Sequence, residues 1–136
     1  MNRTNIKASL RIMGEYFDVQ RITDTLGVIP SRTWNKGDPI RDSGKKRTYT
    51  AWIYNTEIIE SLDINTLIKQ FEKLFYSKVD NIVALRQQYE LDISIDFVIV
   101  IENEESPSIY FGPEFIKFAA EIGAQFDIDT YVNWKC

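Results

Sequence analysis

Two groups of side chains in this chain have types and spacings suited to binding chemistry, and the first is a basic segment at residues 31–48. It holds six Lys and Arg against two Asp, a net charge of +4. Clustered cations attract phosphates and acidic protein surfaces, and an exposed indole can stack on a base. We therefore interpret the segment as a candidate site for an acidic partner or an anion, with a solvated loop as the alternative. Its candidate residues are Arg32, Trp34, Lys36, Arg41, Lys45, Lys46 and Arg47.

The glycines of this segment do not form a phosphate loop of the P-loop type. That motif has four residues between its glycines and a hydroxyl side chain after its lysine. Here six residues separate Gly37 from Gly44, and Lys46 takes the hydroxyl position. The sequence therefore excludes the P-loop class of nucleotide site.

The second group is acidic. Asp127 and Asp129 are two residues apart on a predicted strand and share one face of it, and Asp92 and Asp96 share a face of another. Such carboxylates can ligate Mg²⁺ or Ca²⁺, or act as a general acid and base. Cross-strand pairing with Lys7 or Arg11 is the simpler explanation, because the predicted strand order would hold the two strands apart. We predict an acidic face with no metal and no cofactor.

Residue counts remove several function classes. The chain has no histidine, which excludes Ser-His-Asp and Cys-His catalysis and every His-ligated metal site. Its one cysteine, Cys136, cannot form an intramolecular disulfide, so a reducing cytoplasm is expected. No signal-like apolar stretch follows the basic N-terminus, and the longest apolar run, residues 97–101, is too short to span a membrane. We expect a cytoplasmic protein that is not an enzyme.

The length and the charge distribution of the chain indicate its number of domains and the kind of partner it suits. Its 136 residues, 44% of them hydrophobic, predict a single domain over residues 1–136 with the exposed basic loop at 31–48. The net charge of −4 is unevenly distributed, because residues 90–129 carry ten acids against Lys117 alone. Overall acidity argues against a nucleic-acid partner, whereas segregated charge suits a protein partner.

Apolar periodicity predicts the elements that position these groups. Alternation at Ile6–Ile12 and at Leu91–Ile101 is typical of strands, and the spacing of Ile64, Leu67, Ile68 and Phe71 is typical of an amphipathic helix. Asp18 and Gly27 suit the two ends of a first helix, and a break is expected at Ser77-Lys78. The remaining predicted elements are strands at 48–54, 108–111 and 124–132, and helices at 79–89 and from Pro113 to Gly123.

This order predicts an α+β two-layer sandwich. From the second strand onward it reads β-α-β-β-α-β, the unit of ferredoxin-like folds, preceded by an extra β-α unit. The helices are expected to cover one side of the sheet and water most of the other. Trp52 is expected to pack under a helix, whereas Trp34 in the basic loop is the better candidate for an exposed anchor.

The residues Leu26-Gly27-Val28-Ile29-Pro30, Thr33, Lys36-Gly37, Trp52 and Ile128-Asp129-Thr130-Tyr131 form a pattern that resembles one family. It is a family of short bacterial proteins classed as a domain of unknown function, DUF4279. The resemblance extends from about Ile6 to Tyr131. It implies an α+β domain of bacterial or phage origin and carries no activity that could be transferred to particular residues.

These observations favour a non-catalytic module that binds a protein partner. A toxin-neutralising immunity protein and a phage or bacterial regulator of a larger protein are both of this kind. The alternative is a small-ligand or nucleotide binder that uses the basic loop 31–48. A third interpretation is an oligomeric structural subunit that associates through an exposed strand edge.

Overall fold

A computed structural model describes residues 3–134 of the chain. Strands of alternating apolar and polar residues form its central sheet. The order across the sheet is β2 (Arg32–Trp34), β5 (Thr50–Asn55), β1 (Asn5–Gly14), β7 (Asp92–Ile101) and β8 (Ala124–Val132). β1 is antiparallel to both β5 and β7, whereas β7 and β8 are parallel. A short β6 (Ile59–Glu60) pairs with the start of β1. Finally, β3 (Pro39–Ile40) and β4 (Lys45–Lys46) form a separate ribbon.

The helices are α1 (Val19–Leu26), α2 (Asn65–Phe75), α3 (Val79–Tyr89) and α4 (Pro113–Ile122). The carboxylate of Asp18 accepts a hydrogen bond from the N–H of Gln20 at 3.0 Å, and Gly27 ends α1 in the left-handed conformation. These are the start and the end that the sequence predicts for this helix. A 3₁₀ turn at Tyr76–Lys78 separates α2 from α3, which confirms the predicted break.

One apolar core joins the four helices to a single face of the sheet. Alternate residues of β1 and β7 point into it, and Trp52 of β5 is fully buried there, as predicted. The indole N–H of Trp52 donates to the hydroxyl of Thr23 on α1 at 3.0 Å. Phe115 of α4 packs near the centre, with ring centroids of Phe71, Phe97 and Phe126 between 5.6 and 6.3 Å away. The fold therefore has two layers, and the opposite face of the sheet, which we call the open face, is free of helices in the described part of the chain.

One strand predicted from the sequence is missing from the structure. The strand predicted at residues 108–111 is absent, since Ser108 makes only an isolated parallel bridge with Asp63. Phe111 is instead held by its ring, which stacks on Phe126 at 4.6 Å. Without that strand the predicted β-α-β-β-α-β order is incomplete, so the mixed α+β class is confirmed and a ferredoxin-like core is not.

The predicted order of strands was also wrong at a position that matters for the acidic residues. β7 and β8 were expected to lie apart, yet they are neighbours over nine residue pairs, from Ile93–Ala124 to Ile101–Val132. A parallel crossover through α4 connects them, which is the usual way for a helix to link adjacent parallel strands.

No helix within residues 3–134 is long and apolar enough to cross a membrane. The expectation of a chain without an intramolecular disulfide rests on Cys136, which lies outside the described residues.

Candidate functional site

The open face carries most of the chemistry-bearing side chains that the sequence singles out. Because successive residues of a strand point to opposite faces, burying Ile6, Ala8, Leu10 and Ile12 turns Lys7, Ser9 and Arg11 outward. The same alternation turns Asp96 of β7 and Asp127 of β8 to this face. The sheet thus sets basic residues of its central strand beside acidic residues of its last two strands.

Three carboxylates form what we call the acidic row: Asp96, Asp127 and Asp129. Asp96 is directly opposite Asp127 in the β7–β8 register, and Asp129 follows two residues later on the same face, opposite Val98. Asp127 and Asp129 are both exposed, whereas Asp96 is partly buried. The predicted acidic face therefore exists for these three residues, because β7 and β8 are neighbours.

Asp96 is held by two neighbours within the sheet. The guanidinium Nε of Arg11 lies 3.6 Å from one carboxylate oxygen, and the hydroxyl of Ser94 donates a short hydrogen bond to the other. The predicted pairing of the acidic face with Arg11 is thus confirmed at Asp96. Burial raises the pKa of this carboxyl, and the charges of Asp127 and Asp129 raise it further, against the opposing effects of Ser94 and Arg11.

Asp92 lies away from the acidic row, at the other end of β7. It pairs in register with Met13 and lines an open groove of about 520 Å³. Glu15, Glu90, Lys36 and Tyr49 also line this groove. Three carboxylates against one ammonium make the groove unsuited to an anion. Sequence reasoning missed it, since its residues come from four separate segments.

The described residues contain no group of three or more carboxylate, thiolate or imidazole side chains placed to hold a metal ion. The three carboxylates of the acidic row are therefore not placed to share one metal ion.

The basic segment is not the open loop that the sequence suggests. Residues 32–34 form the edge strand β2, and residues 35–47 form what we call the basic hairpin, built on β3 and β4. The N–H of Gly37 donates to the carbonyl of Arg47 at 2.8 Å, and the N–H of Arg47 donates to the carbonyl of Asp38 at 2.7 Å. Asp42 and Gly44 turn the tip with positive φ angles. The segment is folded, with its tip exposed.

The prediction that Trp34 is an exposed anchor was wrong. Trp34 is 93% buried, because it packs on Ala51 and Ile53 of β5 on the open face. The guanidinium carbons of Arg32 and Arg47 lie 4.9 and 3.9 Å from the centre of its ring. Its indole N–H is buried without a hydrogen-bond partner among the described residues. Trp34 therefore fixes the hairpin to the sheet and is not available for base stacking.

The remaining cations of the segment are separated from that cluster. The ammonium of Lys36 is 2.5 Å from the carboxylate of Glu15 and 4.8 Å from the ring centre of Tyr16. The hydrogen bond with Glu15 raises the pKa of Lys36, so this side chain stays protonated and its charge is balanced by the carboxylate of Glu15. Arg41, Lys45 and Lys46 are exposed on the basic hairpin. The predicted basic site is thus divided among three places.

The third interpretation of the sequence invoked an exposed strand edge without naming a strand, and the structure places such an edge at β8. β8 is the last strand of the sheet, and its exposed apolar side chains include Ile128, Tyr131 and Val132, followed by Trp134 at 80% exposure. In the sequence, the only signal for this strand is the alternation of apolar and acidic residues over 124–132.

Comparison with known proteins identifies the family of the chain. Searches of curated proteins and of solved structures found no match. The sequence profile of the domain of unknown function DUF4279 matches residues 4–133, which is nearly the whole chain and agrees with the resemblance noted in the sequence. The chain therefore belongs to the DUF4279 family.

Proposed function

We propose that this protein is a non-catalytic module that binds a partner protein through the acidic row on the open face. Toxin-neutralising immunity proteins and regulators of a larger protein are the kinds of module that fit this description. The observation that carries the proposal is the placement of Asp96, Asp127 and Asp129 side by side on a solvated sheet face.

Electrostatics supports a basic partner. Four ion pairs occur among residues 3–134, and Arg11–Asp96 is the one that involves the acidic row. Like charges on neighbouring strands destabilise a sheet, so the row carries a cost that a cationic partner surface would relieve. The raised pKa of Asp96 reflects part of that cost. Complementary charge also speeds association with the right partner and disfavours wrong ones.

The alternative, a nucleotide or small-anion site on residues 31–48, has less support from the geometry. Trp34 is buried, and Lys36 is paired with Glu15. The exposed cations Arg41, Lys45 and Lys46 lie on a hairpin outside the 520 Å³ groove. They form a second charged surface that suits an acidic region of the same partner.

The test is purification of the tagged protein from its native host, with mass spectrometry of whatever co-purifies in stoichiometric amount. The double variant Asp127→Asn/Asp129→Asn should lose the partner, because it removes two charges from the row. The matched control Glu72→Gln/Asp80→Asn removes two exposed charges from the helix layer and should keep it. A Lys45→Glu/Lys46→Glu variant tests the basic hairpin separately. Retention of the partner by Asp127→Asn/Asp129→Asn would contradict binding through the acidic row, whatever the basic-hairpin variant does.

A further inference from the structure

The outer edge of β8 is open along the whole strand. β8 pairs with β7 on one side, and no described residue makes a backbone hydrogen bond to its other side. Nine residues at ~3.3 Å each give an edge of about 30 Å. Natural edge strands are usually short or carry Lys, Pro or a bulge that blocks pairing. β8 has neither Lys nor Pro, and its only charged residues are Asp127 and Asp129.

The hydrogen bonds of β8 show which of its backbone groups are free. The N–H of Asn133 donates to the carbonyl of Ile101 at 3.0 Å, so the odd-numbered residues of this strand turn their N–H and C=O groups toward β7. Backbone groups of successive residues in a strand point to opposite edges. Phe126, Ile128, Thr130 and Val132 therefore turn their N–H and C=O groups outward.

The two faces beside this edge have different chemistry. On the open face, Asp127 and Asp129 stand next to it, with Asp96 one strand further in. On the opposite face, Phe126 is covered by Phe111, whereas Ile128 and Val132 are 38% and 43% exposed. A strand added here would meet carboxylates on one side and exposed aliphatic groups on the other.

We infer that β8 receives an extended basic segment of the partner protein as an additional strand of the sheet. This inference rests on the proposed function and specifies how the partner binds. Lys or Arg at alternate positions of the segment would face Asp127 and Asp129, and β-branched residues between them would face Ile128 and Val132. Main-chain hydrogen bonds supply affinity in this mode, and alternate side chains supply specificity.

In the register centred on Ile128, a second copy of the chain is the less suitable occupant. Two β8 strands paired antiparallel around Ile128 would set Asp127 opposite Asp129 of the other copy. Like charges directly opposite each other on a sheet are destabilising. A basic segment turns the same carboxylates into favourable contacts.

The probe is a nine-residue peptide, acetylated and amidated, of sequence Thr-Lys-Val-Lys-Thr-Arg-Val-Lys-Thr. In the first control peptide, every Lys and Arg is replaced by Glu. In the second, alternate backbone nitrogens on the edge that would pair with β8 are methylated. Binding is followed by amide NMR of the ¹⁵N-labelled full chain. The amides of Ile128, Thr130 and Val132 should shift and exchange at least about tenfold more slowly with the basic peptide, as new hydrogen bonds require. Binding of either control peptide as tightly as the basic one would overturn the inference.

The protein variant that isolates the edge is Thr130→Pro. Proline is tolerated on an edge strand where the missing N–H would point outward. The N–H of Thr130 points away from β7, so the hydrogen bonds between β7 and β8 are retained. Affinity for the basic peptide should fall by about tenfold or more, the equivalent of ~1.4 kcal/mol. The matched control Thr130→Val keeps the N–H and should bind like the wild type. Equal binding by Thr130→Pro would overturn the inference, and the methylated peptide provides the same test if this variant does not fold.

Three further outcomes distinguish this inference from a dimer and from the proposed function. If light scattering shows a dimer that Thr130→Pro converts to a monomer, a second copy occupies the edge and the inference is wrong. If the basic peptide does not bind, yet the Asp127→Asn/Asp129→Asn variant loses the host partner, the binding module stands and strand addition is overturned. If the peptide binds at the edge and the host partner is unaffected by any charge variant, the proposed function fails while the edge retains its affinity.

Discussion

Asp96 of β7 and Asp127 of β8 lie directly opposite each other on neighbouring parallel strands. Two carboxylates in one row repel, and the partial burial of Asp96 adds a desolvation cost to its charged form. Arg11 offsets part of this cost from the other side of β7, at 3.6 Å. The balance among these groups can be measured one residue at a time.

The pKa of Asp96 should move in opposite directions in two variants. Asp127→Asn removes a charge that raises this pKa, so the pKa of Asp96 should fall toward its ordinary value. Arg11→Met removes a charge that lowers it, so the pKa should rise further. NMR titration of the Asp96 carboxyl carbon measures both. A shift in the same direction in both variants would show that their charges do not control this group.

Stability should depend on the ionisation of Asp96. Because its pKa in the folded state is raised above that of the unfolded chain, the ionised carboxylate costs stability at neutral pH. The cost is relieved as the pH falls through the folded-state pKa toward that of the unfolded chain. Chemical unfolding across the acid range should therefore show Asp96→Asn gaining stability relative to the wild type as the pH rises. At neutral pH its free energy of unfolding should lie within about 1 kcal/mol of the wild type, because the lost pair with Arg11 is partly solvated.

Two tryptophans should respond differently to replacement by phenylalanine. Trp52→Phe removes the hydrogen bond to Thr23 in the core and should lower the free energy of unfolding by about 1–3 kcal/mol. Trp34→Phe removes a buried N–H that has no partner among the described residues, so its cost should be smaller, within about 1 kcal/mol. Urea unfolding of the pair measures the difference. A larger loss for Trp34→Phe than for Trp52→Phe would contradict this ranking and assign the greater stabilisation to the Trp34 ring with Arg32 and Arg47.

Gly27 should be sensitive to a side chain for conformational reasons alone. It ends α1 at a φ of +67°, and an added Cβ would meet nothing within 4 Å. Gly27→Ala should therefore cost about 1–2 kcal/mol of stability through backbone strain. Gly27→Asn is the matched control and should cost less, since asparagine adopts this conformation more readily. Equal losses in thermal unfolding would point to a contact and not to φ.

Anionic ligands should not stabilise the protein. A ligand present at about 100 times its dissociation constant adds ~2.7 kcal/mol to the free energy of unfolding, which a thermal shift detects easily. We expect no shift with ATP, GTP or inorganic phosphate, because Lys36 is paired with Glu15 and Trp34 is buried. A shift that is lost in Lys45→Glu/Lys46→Glu would favour the nucleotide-binding alternative.

Much of the fold was predictable because single elements leave periodic signals. The alternation in β1 and β7, the stripe at Ile64–Phe75, and the caps Asp18 and Gly27 all agree with the structure. The segment 108–111 was misread because its three consecutive apolar residues, Ile109 to Phe111, have no period. Phe111 contributes through ring packing, which leaves no local pattern.

The candidate site was harder to predict because it depends on which strands are neighbours. The residues of the acidic row were identified, but their assembly required β7 and β8 to be adjacent, and strand order is not encoded in either strand alone. Trp34 was misplaced for a similar reason. Its basic, glycine-containing surroundings are typical of mobile loops, and its burial depends on Ala51 and Ile53 of a strand that follows it in the chain.

The central position of β1 has a consequence for synthesis on the ribosome. Synthesis of β5, the first long strand that pairs with β1, is complete at Asn55. Synthesis of β7, which pairs with the other edge of β1, is complete only at Ile101. At ~5–20 residues per second, about 2 to 9 s pass between these events. During that interval the nascent chain presents one open edge of β1, flanked by Ile6, Ala8, Leu10 and Ile12. An unpaired strand edge of this kind makes a partly synthesised chain prone to aggregation, and pairing with β7 removes that exposure.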